Sequence, residues 1–329
     1  MPTPVSITPA NTDHDHEAPV VFDSPHSGID YPDDFGFVVP METLRAAEDT
    51  HVDKLYSAAP SLGATLICAN FPRSYIDCNR SLLDMDAALL STAWPGPVNP
   101  SGKTERGIGL VWRKLDTGAD IYDRTLTVAE VQNRIVNYYA PYHKAVRDAI
   151  NATHKHYGAV WHINCHSMPA TSSVISDDGP GHARADFVLG DRDGTTCAPE
   201  FTTFVALTLT GMGYEVKVND PYKGVELVRA YSEPAQHKHS LQIEVNRKLY
   251  MDETTRNPNA NFAKLQHDIT RLINAIGDYA RAHIPEHDHH DCGHDHSHDH
   301  KHDHAHDHVH DDHKHDHDHP HKSGHDHTH

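Results

Sequence analysis

From His287 to His329 the chain is a histidine–aspartate repeat, and nothing in that segment can enter a hydrophobic core. Twenty of the thirty-four histidines lie there, with eleven aspartates and three lysines. So little apolar surface cannot offset the entropy of ordering, which predicts a solvated, disordered tail. Folding is thereby confined to residues 1–286. Imidazoles interleaved with carboxylates favour zinc, nickel, copper or cobalt over magnesium or calcium, so the tail is predicted to bind metal. A cloning tag is the alternative, and the length and regular aspartate spacing argue against it.

The tail carries −8 of the formal charge of −19, leaving −11 on the body. No basic face is evident for phosphate binding, so nucleic acid is not an expected partner. The body has the length of one large α/β domain. Its cysteines belong to a set of five, odd in number, widely spaced and without a CxxC pair, which points to a reducing compartment rather than a disulfide framework. Residues 1–21 lack the basic start and apolar run of a signal peptide, and no run of about 18 apolar residues occurs anywhere. The expected location is the cytoplasm, with no membrane partner.

Short apolar runs bounded by Pro and Gly predict strands at 19–23 and 64–70, with a further one at 74–78. Residues 43–59 carry an approximate apolar stripe and predict a helix. The stretch 83–109, rich in Gly, Pro, Ser and Thr, predicts a long surface excursion of the kind that forms lids or binding loops. A long helix is expected over 127–156, kinked or split at Pro141. Strands at 159–164, 186–190, 214–218 and 241–245 then alternate with helices at 199–212 and 259–282. This alternation implies a mixed, mostly parallel sheet with helices on both faces, and a site at the carboxyl ends of its strands.

A catalytic zinc site takes three protein ligands, usually two histidines and a carboxylate, with one position open. His26 and His166 each follow a predicted strand, and Asp49 on the intervening helix is the natural carboxylate. No HExxH signature is present, so spacing alone is weak evidence. His162, two residues before Asn164, reads as a core or supporting histidine. His51 and Asp53 read as polar-face residues, and His237 and His239 as loop residues. Cys165 has no partner spacing that would make it a nucleophile. Trp94 and Trp112 flank the excursion and are as suited to packing it as to touching substrate.

An ordered set of motifs adds to this. Ser24-Pro25-His26-Ser27-Gly28 with Tyr31-Pro32, then Asp49 through Tyr56, Ile76-Asp77-Cys78-Asn79-Arg80, Cys165-His166-Ser167-Met168, Leu189-Gly190-Asp191, Asn219 through Gly224 and Gln242 through Met251 together resemble the N-formylglutamate amidohydrolase family. The resemblance spans nearly the whole body. It implies an α/β fold of three layers, α/β/α, like that of zinc carboxypeptidases and aspartoacylase-like deacylases, a phosphorylase/hydrolase-like arrangement. It places His26, Asp49 and His166 as ligands of one catalytic Zn2+, with Glu48 an adjacent alternative carboxylate. Further ions would sit on the tail. Glu244 falls at the general base, and Arg73 is a candidate for stabilising the oxyanion.

The activity so implied is hydrolysis of an N-acyl amino acid, foremost N-formyl-L-glutamate to formate and L-glutamate in histidine degradation, by metal-activated water. Substrate carboxylates call for bidentate cations, for which Asn79 with Arg80, then Arg113, Arg229 and Arg247, are the candidates. The chain departs from the family where Gly224-Val225, Tyr231-Ser232 and Asn164 stand, which leaves the acyl group and amino acid open. A zinc storage or metallochaperone protein using the His-rich tail and a carboxypeptidase-like peptidase are the alternatives. Retention of Glu244 favours the hydrolase, because storage needs no base.

Overall fold

Alternation along two segments decides the centre of the fold. Trp161, Ile163 and Cys165 interleave with His162, Asn164 and His166, and Leu241, Ile243 and Val245 interleave with Ser240, Gln242 and Glu244. Side chains in a strand point alternately to opposite faces, so each segment has one apolar and one polar face. In the computed structural model, which describes residues 3–11, 17–176 and 178–285, both are strands of one sheet. The histidine–aspartate repeat, and the tail predicted for it, lie outside the described residues.

The strands are β1 (Val5–Thr8), β2 (Val20–Ser24), β3 (Thr65–Ala69), β4 (Val160–Met168), β5 (Phe187–Gly190), β6 (Val216–Val218) and β7 (Lys238–Asn246), in the order β1-β3-β2-β4-β7-β5-β6. β3, β2, β4 and β7 run parallel. β1 is antiparallel to β3, and β5, which pairs with β6 in parallel, is antiparallel to β7. The sheet is therefore mixed and mostly parallel, as expected for an α/β fold. Phe22, Trp161, Ile163 and Ile243 pack under the helices Pro199–Gly211 and Phe262–Ala282. Leu265, Ile269, Leu272, Ile276 and Ala280 of the second helix form its buried stripe at helical spacing. Val21 and Ile67 share the opposite core with Tyr142, Val146 and Ile150 of the helix Ala140–Tyr157, so helices cover both faces.

Three expected elements differ. The helix predicted over 43–59 is broken into Met41–Leu44, a 3-10 turn Arg45–Ala47, and Val52–Leu55. Between them Glu48 is extended and His51 has a φ of 69°, a left-handed backbone that no continuous helix tolerates. Asp49 donates its N–H to the carbonyl of His26, 3.0 Å away, a bond that replaces helical pairing. Residues 74–78 form turns instead of a strand: Tyr75 N–H bonds to Pro72 and Asp77 N–H to Leu110. β4 continues past Asn164 to Met168, which places His166 on the strand rather than after it.

The long helix predicted over 127–156 is present and is not split at Pro141. A capping box of Thr127 and Glu130 starts Val128–Arg134, and a π-helical turn, Ile135–Tyr139, leads into Ala140–Tyr157. The wider turn accommodates a ring that offers no N–H and would otherwise press on the preceding turn. Among the described residues no helix is long and apolar enough to cross a membrane.

The loop after β2 lies directly on the backbone after β3. A Cβ on Gly28 would stand 2.3 Å from the carbonyl carbon of Asn70, and Asp30 N–H bonds to Asn70 O at 2.8 Å. Gly28→Ala is therefore expected to lower stability by about 1–3 kcal/mol through overpacking, read as a lower urea midpoint with an unchanged slope.

Candidate active site

His26, Asp49 and His166 converge at the carboxyl ends of β2 and β4. The turn after β2 is closed by Ser24 Oγ and Ser27 Oγ, 2.6 Å apart, and presents His26 inward. The helix break presents Asp49, and the polar face of β4 presents His166. All three are buried, and one ligand atom from each lies within 4.8 Å of the others, so the group could hold a metal ion. Glu48 turns away: its carboxylate accepts from Tyr31, Arg45 and Thr50.

The hydrogen bonds assign the imidazole roles. Nε2 of His26 lies 2.7 Å from Asp77 Oδ1, and Nε2 of His166 lies 2.7 Å from Asn164 Oδ1. Both partners are acceptors, so each Nε2 carries the proton and each Nδ1 keeps its lone pair. Those lone pairs point at Asp49 Oδ2, 3.3 and 3.1 Å away. Three acceptors facing one another repel unless a cation, or a proton on a ring, lies between them. Two imidazole nitrogens and a carboxylate oxygen, each imidazole backed by a hydrogen-bond acceptor, form a donor set suited to zinc.

Charge around the trio is tightly matched. Burial opposes the ionisation of Asp49, but the contacts with His166 and His26, which are hydrogen bonds when a ring carries its proton on Nδ1, and the charge of Arg73 outweigh it and hold the carboxyl well below the usual range. Asp77 is held low as well, because Arg73, His26 and Arg80 overcome the cost of its burial. Arg73 bonds Asp77 Oδ2 at 3.0 Å, stands 3.6 Å from Asp49 Oδ1 and lies over the ring of Trp112. Arg247 donates to Asp49 Oδ1 at 3.0 Å and to Ser167 Oγ at 3.1 Å.

Glu244 of β7 stands in register with His166 of β4. Gln242, two residues earlier on the same face, donates to its Oε1 at 3.0 Å. Burial pushes the Glu244 carboxyl up from its ordinary value, Asp49 adds to this, and His166, Arg73 and Arg247 oppose it. Glu244 and His166 line a cleft of about 500 Å3. Of the residues predicted for substrate, Asn79, Arg80 and Arg247 line this cleft, as does Arg73. Arg80 is held in the wall by bonds to the carbonyls of Ile108 and Asn79. The structure does not bring Arg113 or Arg229 to it. Arg113 pairs with Asp86 at 2.8 Å, and Arg229 pairs with Glu226 with its side chain 55% exposed.

Several cleft residues escape the sequence reading. Asp77, buried behind the cleft, sits in the motif at 76–80 but carries no pattern of its own. Its role follows only from the turn that brings it to His26. Gln242 was detectable, since it shares the polar face of β7 with Glu244. Arg184 and Lys103 also line the cleft and come from segments with no local signal, and Tyr222 joins them from the motif at 219–224. Trp112 joins the site by donating to Asp77 Oδ2 at 3.2 Å. Cys165 points into the apolar core, and burial pushes its thiol well above the usual range, which removes it as a nucleophile.

The chain is similar to known proteins over most of its length. N-formylglutamate deformylase of Pseudomonas aeruginosa is 28% identical over 242 residues, covering 71% of this chain and 83% of that protein. N-formylglutamate deformylase of Pseudomonas putida is 27% identical over 248 residues, covering 73% and 85%. The crystal structure of N-formylglutamate amidohydrolase from Ralstonia eutropha JMP134 superposes with a TM-score of 0.80 at 49% identity, over 85% of this chain and 99% of that one. The family model for N-formylglutamate amidohydrolase matches residues 18–251, a span that contains His26, Asp49, His166 and Glu244, and the chain therefore belongs to the N-formylglutamate amidohydrolase family.

Proposed function

We propose that this chain hydrolyses N-formyl-L-glutamate to formate and L-glutamate, with zinc held by His26, Asp49 and His166 and with Glu244 as general base. The observation that carries the reading is the in-register pairing of His166 with Glu244 beside a buried two-histidine, one-carboxylate trio, at the floor of a cleft walled by cations. The names of the relatives supply the substrate. A volume of about 500 Å3 suits a small N-acyl amino acid.

A zinc ion, when bound, supplies Lewis acidity toward the formyl oxygen and makes water more acidic. The chain's residues carry the rest. Glu244, oriented by Gln242, takes the proton of the attacking water as its oxygen bonds to the formyl carbon. It then delivers that proton to the departing nitrogen as the C–N bond breaks. Arg73, fixed between Asp77 and Asp49 over Trp112, presents positive charge toward the developing oxyanion. Arg80 and Arg247 face the substrate carboxylates, with Asn79 beside them.

The twenty histidines of His287–His329 offer imidazole to the same class of ion. Tethered to the catalytic body, they would hold metal near the site at effective concentrations approaching ~mM and supply it when zinc is scarce.

Formate release from N-formyl-L-glutamate is expected to stop on chelation and to return with stoichiometric zinc. Glu244→Gln should lower kcat by about 10²–10⁴-fold while zinc is still bound. A Glu244→Gln enzyme as active as the wild type would reject the base assignment. In the substrate wall, Arg80→Lys should raise KM by roughly 10-fold or more, since a bidentate fork is lost, whereas Arg229→Ala and Arg113→Ala should leave kcat/KM within about 2-fold. A chain ended at Pro285 should match the full chain at saturating zinc, yet regain activity more slowly from the metal-free state at limiting zinc. Equal recovery would remove the supply role from the histidine segment.

A further inference from the structure

Asn164 stands between two groups that together fix its orientation. Its Nδ2 donates to Asp23 Oδ1 at 2.8 Å, and its Oδ1 lies 2.7 Å from His166 Nε2. Asp23 is wholly buried on β2, in register with Asn164 on β4. It also accepts from His162 Nε2 at 2.9 Å and from the Tyr142 hydroxyl at 2.6 Å. Burial works against its charge, but His162 and the hydrogen bonds from His162, Tyr142 and Asn164 outweigh this and keep its carboxyl below the usual range.

A carboxylate only accepts, so the Asn164 amide must turn its NH2 to Asp23 and its oxygen to His166. That oxygen requires the imidazole proton on Nε2, which leaves Nδ1 as the lone pair directed at Asp49. Asn79 Nδ2 also approaches His166 Nε2, at 3.1 Å, and as a donor would demand the opposite tautomer. The Asn164 contact decides between them: it is shorter, its oxygen has no proton to give, and Asn79 Nδ2 has Gln242 Oε1 as another acceptor at 3.4 Å. His26 is set in the same way by Asp77 directly. At His166 the negative charge stands one hydrogen bond further back.

We infer that Asp23 is a positioning residue, the remote carboxylate of an Asp23–Asn164–His166 relay that fixes His166 as an Nδ1 metal ligand. The inference rests on the reading of His26, Asp49 and His166 as the zinc trio. Moving the charge along the relay tests it. In Asp23→Asn the Asn164 amide is free to turn over and the proton leaves Nε2. In the double variant Asp23→Asn with Asn164→Asp, the carboxylate stands beside His166 and restores the wild-type arrangement.

Two readouts on the full chain separate the relay from packing. One is the ¹⁵N imidazole spectrum of the full chain freed of zinc by chelation, with His166 assigned by its loss in His166→Gln. The other is the free zinc concentration at half-maximal deformylation, set by a chelator buffer so that the His287–His329 segment does not alter the free ion. Asp23→Asn should move the His166 proton off Nε2 and raise the zinc midpoint by about 10–100-fold. The double variant should return both toward wild type, and Tyr142→Phe, which removes a bond to the other oxygen of Asp23, should leave the proton on Nε2. A folded Asp23→Asn with wild-type spectrum and midpoint overturns the relay. Should Asp23→Asn unfold, the double variant decides alone, and its failure to show the wild-type tautomer and midpoint overturns the relay equally. A wild-type chain that needs no zinc brings down the metal reading first and the relay with it.

Discussion

The carboxylate of Asp49 is the point on which the separate parts of this structure close. Its Oδ2 faces Nδ1 of His26 and of His166, while Arg247 donates to Oδ1 and Arg73 stands 3.6 Å from it. Four segments distant in sequence are thereby tied to one buried acid. A buried anion is costly unless its field is filled by cations and donors, so none of these segments can drift without exposing an uncompensated charge. The break in the helix around Asp49 follows from the same demand. Val52–Leu55 is short and starts from a left-handed residue because Asp49 must bond to the His26 carbonyl instead of to its own helix.

The sheet then does for Glu244 what the break does for Asp49. Parallel pairing sets Asp23 opposite Asn164, Asn164 opposite Gln242, and His166 opposite Glu244. A polar row thus crosses three strands on one face, while Phe22, Ile163 and Ile243 hold the other face in the apolar core. A slip of one residue in either pairing would turn the row into that core and the apolar residues into the site, an exchange that penalises both faces at once. The hydrophobic pattern therefore sets the position of His166 and Glu244. No extra device is needed to align the proposed base with the proposed ligand.

This explains which parts were legible in the sequence. Strands β2, β3, β4 and β7 carry period-2 or continuous apolar patterning that local sequence expresses directly, and the alternation of His162, Asn164 and His166 with Trp161, Ile163 and Cys165 shows which residues share a face. The family motifs supplied the pairing of His26, Asp49 and His166, which spacing alone left weak. The turns at 74–78 and the helix break were not legible, because both depend on bonds to distant backbone: Asp77 to Leu110, and Asp49 to His26. Arginine roles were the least legible. Arg80 lies in a family motif and Arg113 does not, but only the tertiary position of Asp86 decides that Arg113 is taken up in a largely buried pair away from the cleft.

A last tension concerns sign. The body carries a formal −11, yet the proposed substrate is anionic and must enter it. The cleft reverses the balance locally: Arg73, Arg80, Lys103, Arg184, Lys223 and Arg247 line it against Asp116, Asp178 and Glu244. Charges spread over the outer surface are screened beyond about 8 Å at physiological ionic strength, whereas charges in a walled, poorly solvated cleft are screened much less. The acidic exterior therefore sets solubility, and the cationic cleft sets attraction at short range. Within that cleft two of the cations, Arg73 and Arg247, are already engaged with Asp49 and Asp77, which limits how strongly they bind a ground-state carboxylate. In the proposed reaction the remaining field of Arg73 would act on the negative charge that develops beside it, where it would accelerate chemistry instead of holding substrate, a task left to Arg80 and Arg247.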